Sequence, residues 1–168
     1  MRMDKLTHTF QQAIAEGQSI AVGRENPAIE PVHIMKALLD QENGTTRQLL
    51  SEVGVDLPSF RSQLDNAIDR LPQIVGGPAD IHLSNELVRL LNQSDKLAQQ
   101  RKDQFISSEL FLVAAVTDES GSLGQLFKKT SASKDKLEQA IEKMRGGQTV
   151  QDQNAESMRN SLDKSFQN

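Results

Sequence analysis

Residues 105–116, FISSELFLVAAV, contain an unbroken apolar run from Leu110 to Val116. Ser107 and Ser108 supply hydroxyls where a helix would begin, and Glu109 adds a carboxylate in its first turn. A helix that is apolar on every side must be covered on nearly every side. The run is therefore read as the centre of a core. The same pattern occurs earlier, as AIEPVHIMKALL at 28–39. Aligning Ile29 with Ile106 gives an offset of 106 − 29 = 77 residues.

That offset organises the chain. Thr7 reads as the N-cap of a first helix whose apolar face holds Phe10, Ala13, Ile14 and Ala21, with Gly17 expected to loosen its middle. Pro31 suits the first position of the second helix. A short helix follows near Arg47 to Glu52, and Leu57, Phe60, Leu64, Ala67, Ile68 and Leu71 trace a fourth before Pro72 stops it. Residues 74–81, IVGGPADI, read as a turn-rich connector. Then the series restarts. Leu83-Ser84 repeats Leu6-Thr7, and Leu87, Leu90, Leu91 and Ala98 repeat Phe10, Ala13, Ile14 and Ala21. Toward the end the offset shortens: Leu137, Ala140, Ile141 and Met144 match Leu64, Ala67, Ile68 and Leu71 at 137 − 64 = 73.

The expected fold is all-α: two pseudo-twofold-related four-helix repeats, 1–73 and 80–145, packed into one domain over 1–145. Residues 146–168 are expected to be a flexible linker and the start of a following domain. Gln148 to Asn160 are polar, and Ala155, Met158, Leu162 and Phe166 form a weak helical stripe. The chain is thus expected to be part of a longer one.

Composition excludes several functions. There is no cysteine, so disulfides and thiol catalysis are excluded. The net charge is −4 and no basic block stands out, which argues against nucleic-acid binding. No apolar run reaches membrane-spanning length. His8, His33 and His82 are far apart, outside any metal-ligand spacing, and a surface or boundary position is expected for each. No phosphate-cradling loop and no nucleophile elbow is present. The expectation is a binding module rather than an enzyme, with no catalytic residue, metal or cofactor.

Two related helical units leave a groove between them, suited to an apolar or amphipathic segment. Leu90, Leu91 and Leu110 are its candidate lining, because Leu90 replaces Ala13, Leu110 replaces His33, and Leu91 shares a face with Leu87. A simple core role fits these leucines equally well. Thr7, Ser84, Asp103 and Glu109, at the helix mouths, are the polar candidates, with plain N-capping the alternative for Thr7 and Ser84.

The doubled unit, the opening MRMDKLTHTFQQAIAEGQSIA, the segments AIDRLPQ and QFISSEL, and the exit IEKMRGGQTVQDQNAE resemble the Clp amino-terminal domain. Within that family they are most similar to the bacterial Clp-type AAA+ disaggregases, and the resemblance covers the full chain. It implies a cytoplasmic, ATP-driven chaperone, hexameric as a whole, working with an Hsp70 system. This chain would be its substrate-engaging domain, binding exposed apolar segments of unfolded or aggregated polypeptides, and monomeric by itself. ATP and magnesium would belong to other domains. The resemblance assigns function to Thr7, Ser84, Leu91, Asp103, Glu109 and Leu110. Gln93 stands where relatives carry an apolar residue, which narrows the implied apolar groove. Docking of an adaptor protein is the alternative role.

Overall fold

The computed structural model of the chain describes residues 2–42 and 44–156. After a 3-10 turn at Met3–Lys5, Thr7 caps α1 (His8–Gly23): its Oγ1 accepts the Phe10 N–H at 3.2 Å. The strand β1 (Ala28–Ile29) leads into α2 (Pro31–Asp40), with Pro31 at its first turn. Two further helices, α3 (Thr46–Glu52) and α4 (Leu57–Asp69), complete the first repeat. The second follows as β2 (His82–Leu83), α5 (Asn85–Arg101), α6 (Ser108–Thr117), α7 (Ser122–Phe127) and α8 (Lys134–Arg145). Ser84 caps α5 as Thr7 caps α1, accepting the Leu87 N–H at 3.0 Å.

The pseudo-twofold relation is visible in the backbone. Ile29 pairs in parallel with Leu83, and Leu6 with Ile106. Adding 77 to Leu6 gives Leu83, and adding 77 to Ile29 gives Ile106, so the two pairings exchange under the repeat. Their hydrogen bonds match as well: Thr7 N–H donates to the Ile106 carbonyl and Ser84 N–H to that of Ile29, both at 3.0 Å. Each repeat therefore fastens the entry of its first helix to the other repeat. Even the backbone exceptions correspond. Glu25 and Lys102 (102 − 25 = 77) are, among the described residues, the two non-glycine residues with positive φ, at 56° and 63°.

The core runs across both copies. Helix α6 is buried from Ser108 to Ala115, as its apolar run demands. Phe10 of α1 meets Phe111 of α6 with ring centroids 5.6 Å apart, and Phe60 of α4 stacks on Phe127 of α7 at 4.8 Å. Both contacts join one repeat to the other and add aromatic attraction to area burial. Helix α2 packs on α5 and α7, and α3 on α8.

Two expectations change. Gly17 does not loosen α1; a Cβ there would lie 2.7 Å from Ile34 Cδ1 and 3.4 Å from the His33 carbonyl, so its bare backbone lets α1 approach α2 closely. The polar stretch after Arg145 is docked in its first part, with Val150 1% and Glu156 1% exposed. The residues Met158, Leu162 and Phe166 of the expected stripe lie outside the described residues.

A second close approach occurs at Gly124 in α7, where a Cβ would sit 1.9 Å from the Asp118 carbonyl oxygen and 2.9 Å from Glu119 Cα. Backbone cannot swing aside as a side-chain tip can. Gly124→Ala is expected to destabilise the domain by about 3 kcal/mol in urea titrations followed by circular dichroism. Gly23→Ala, where nothing lies within 4 Å, is expected to stay within ~0.5 kcal/mol of the wild type.

Candidate functional site

Three of the seven expected site residues converge. Thr7, Asp103 and Glu109 meet where the start of α1, the turn before α6 and the end of α8 come together. Arg145, the last residue of α8, binds Asp103 and Glu109, and Thr7 joins them through Glu156. Arg145 Nε donates to Glu109 Oε1 at 3.0 Å, its Nη1 to Asp103 Oδ1 at 3.1 Å, and its Nη2 to Ser107 Oγ at 3.1 Å. The Arg145 side chain is 2% exposed, and those of Asp103 and Glu109 are fully buried. Burial lowers the Arg145 pKa, but the charges and hydrogen bonds of Glu109 and Asp103 outweigh it and hold the guanidinium ionised. Removing one member of such a buried set would leave the others uncompensated, a loss of about 3–5 kcal/mol.

The fourth titratable member comes from the docked segment. Glu156 Oε2 accepts from Thr7 Oγ1 at 2.6 Å and from Ser108 Oγ at 3.2 Å, while Oε1 accepts the Ser108 N–H at 2.7 Å. A side chain 48 residues distant thus satisfies a free N–H in the first turn of α6. Burial, and then the neighbouring Glu109 charge, push the Glu156 carboxyl up to about 8, so that it is neutral at pH 7. Asp103 also accepts the Val150 N–H at 2.9 Å, tying the same segment to the turn.

The first repeat places a neutral version of this network at the equivalent position. Asn26 corresponds to Asp103 (103 − 77 = 26) and Pro72 to Arg145 (145 − 73 = 72). Asn26 Nδ2 donates to the Pro72 carbonyl at 2.9 Å, and its Oδ1 meets His33 Nε2 at 2.9 Å. His33 Nδ1 accepts the Glu30 N–H at 2.8 Å, so the ring proton lies on Nε2 and points to Asn26. His33 is fully buried rather than at a surface or boundary position as expected, and burial, helped by Arg24, lowers its pKa to about 4.

The remaining expected residues lie apart from this cluster. Ser84 sits at the pseudo-symmetric counterpart of Thr7 and acts as a cap. Leu110 is 0% exposed, and Leu90 and Leu91 are 3% exposed. The expectation that these leucines line an open groove is corrected: they are core, because Leu110 takes the position that His33 fills in the first copy. Leu90 borders a cleft of about 260 Å³ between α5 and α6, together with Arg89, Gln93, Ala114, Thr117 and Asp118. Arg89 and Asp118 form an ion pair at its rim, 2.7 Å apart. Among the described residues, no group of three or more His, Asp or Glu side chains is placed to hold a metal ion.

The profile of the Clp repeat N-terminal domain matches residues 5–130. The chain belongs to this family. Over 98% of its length it is 51% identical to the chaperone protein ClpB of Pseudomonas putida, and it spans 19% of that relative. The fold matches the N-terminal domain of Hsp104 from Candida albicans with a TM-score of 0.80 at 21% identity, covering 91% of this chain and 99% of the other. It also matches a ClpV N-domain in complex with a VipB peptide, at a TM-score of 0.70 and 20% identity, covering 86% and 89%. The doubled all-α architecture is that of the Clp N-domain. No helix among the described residues is long and apolar enough to cross a membrane.

Two measurements test this arrangement. Leu110→Ala is expected to lower stability by about 2–5 kcal/mol, as a cavity in a packed core does; a change under ~1 kcal/mol would return Leu110 to the surface. The pH dependence has two opposed arms. His33 binds fewer protons folded than unfolded, so its contribution is present above pH 6.5 and is lost as pH falls toward about 4. Glu156 binds more protons folded than unfolded, so its contribution is present below pH 4.5 and is lost as pH rises through about 8. Unfolding free energy is expected to fall by about 2 kcal/mol between pH 6.5 and 8, and Glu156→Gln is expected to flatten that arm alone.

Proposed function

We propose that this chain is the polypeptide-engaging N-terminal domain of a ClpB-type disaggregase, binding exposed apolar segments of unfolded or aggregated proteins. The observation that carries this reading is 51% identity to a ClpB over 98% of the chain, since a likeness of that extent reaches surface as well as core. On this reading ATP and magnesium act in other domains of a longer cytoplasmic protein, which assembles as a hexamer and works with an Hsp70 system. The chain itself is monomeric and hydrolyses no ATP.

The cleft between α5 and α6 is the best-suited opening for a client segment. It combines apolar walls at Leu90 and Ala114 with polar groups at Gln93 and Thr117. A small, open cleft must offset the ordering of a disordered ligand, so binding is weak, micromolar or weaker. Adaptor docking is the second reading, favoured by the related ClpV N-domain, whose bound peptide comes from one named protein, VipB.

An NMR titration with a permanently unfolded, apolar-rich polypeptide separates the two. Amide shifts are expected along α5 and α6 around Leu90, Gln93 and Thr117. Gln93→Leu is expected to tighten that binding about fivefold by adding apolar contact. Shifts elsewhere, or none, would count against a client cleft here. Loss of a folded partner upon Arg89→Glu would favour adaptor docking.

A further inference from the structure

The segment after α8 is held to the body by a set of polar contacts with little apolar area beneath them. Val150 is its one buried apolar side chain among residues 148–156, at 1% exposed. Its carbonyl accepts from Gln104 N–H at 2.8 Å, and its N–H reaches Asp103. Farther on, the Gln153 carbonyl accepts the His8 N–H at 2.8 Å, and Gln153 Nε2 donates to the Asp4 carbonyl at 2.9 Å. Asn154 Oδ1 meets His8 Nδ1 at 2.8 Å. Glu156 ends the series, enclosed between Thr7 and Ser108.

The first repeat shows what such a segment does when nothing needs to detach. After α4 the chain turns back over the α1–α2 turn, with Ile74 N–H on the Glu25 carbonyl and Gly76 N–H on Glu25 Oε2, and then enters β2 and α5. It is held at both ends by regular structure. After α8 the chain makes the equivalent return over the α5–α6 turn, with Gln151 Nε2 on the Lys102 carbonyl, and the side chain of Glu156 fastens it between Thr7 and Ser108.

We propose that residues 148–156 form a releasable strap, for which Glu156, seated between Thr7 and Ser108, is the catch. Thr7, Asp103 and Glu109 then act as positioning residues. Thr7 and Asp103 grip the strap directly, and Glu109, anchored by Arg145, sets the charge that Glu156 meets. Release frees nine residues, 148 to 156, which lengthen the connection to the residues that follow by up to about 30 Å. The domain's reach, rather than its cleft, is what these side chains control. This goes beyond the proposed function, because the strap sets the domain's range whatever the cleft binds.

The charged and titratable groups around the catch are Glu109 from α6, Arg145 from α8, Asp103 from the turn before α6, and His8 from α1, with Asp4 near the strap. Arg145 offsets one of the two carboxylates it touches. A third negative charge at Glu156 would leave the cluster at net −2, since 1 − 3 = −2, so loss of its proton favours release.

Amide hydrogen exchange on the 168-residue chain, read by NMR, tests the strap. Four amides report on it: His8, Gln104, Ser108 and Val150, all of which donate across the strap contact. Glu156→Ala is expected to speed their exchange by about tenfold or more, while Met35 and Phe111 in the core remain far slower than all four. Glu156→Gln, a neutral isostere that still accepts from Ser108, is expected to keep all four protected. Unchanged protection in Glu156→Ala would overturn the proposal. So would strap amides that exchange as slowly as Met35 and Phe111 in the wild type, which would make the segment part of one cooperative unit. Release by Glu156→Gln equal to that by Glu156→Ala would show that a neutral group does not serve as the catch.

Discussion

Two reciprocal backbone crossings hold this domain together. Leu6 meets Ile106 and Ile29 meets Leu83, so each repeat begins its first helix on a strand supplied by the other. Neither half can complete its own helix entries. The aromatic contacts follow the same rule, Phe10 with Phe111 and Phe60 with Phe127, and so does the burial of α6. The apolar helix that no single repeat could cover is enclosed because the crossings bring the second copy against it.

The pseudo-symmetry also shows how one architecture carries different chemistry in its two halves. Asn26, His33 and the Pro72 carbonyl make a neutral network; Asp103, Arg145 and Glu109 make a charged one at the corresponding place. In the neutral version the buried ring is satisfied within its own repeat. In the charged version the carboxylates outnumber the one guanidinium, and a further carboxyl is accommodated only in its neutral form. The asymmetry places the cluster's ion pairs in the second copy, while the first responds to pH through His33.

The repeat was legible in the sequence because it rests on apolar periodicity, which survives substitution: Leu83 still reads as Leu6, and Ile106 as Ile29. The caps at Thr7 and Ser84 were legible for the same local reason. The leucines misled. Leu110 looked like surplus apolar surface beside His33, but the histidine is itself buried, so the exchange swaps one core residue for another. Arg145 carried a signal, a basic residue at the end of a helix where the first copy has Pro72. Glu156 carried none, because its partner Ser108 lies 48 positions away and only the fold brings them together.

The exposed tip of the connector has a further consequence. Val75 is entirely exposed, and nothing lies within 4 Å of where a Cβ would stand on Gly76 or Gly77. At the opposite end of the topology, His8 and Gln153 share a hydrogen bond, so the beginning and the end of the described chain are neighbours. A chain opened at 76–77 and closed between those neighbours would run through the second repeat first and the first repeat second. Every reciprocal pairing would remain, since each is defined between copies and not by their order. The fold is therefore indifferent to which repeat comes first, and a gene duplication that joined the copies in either order would have reached the same architecture.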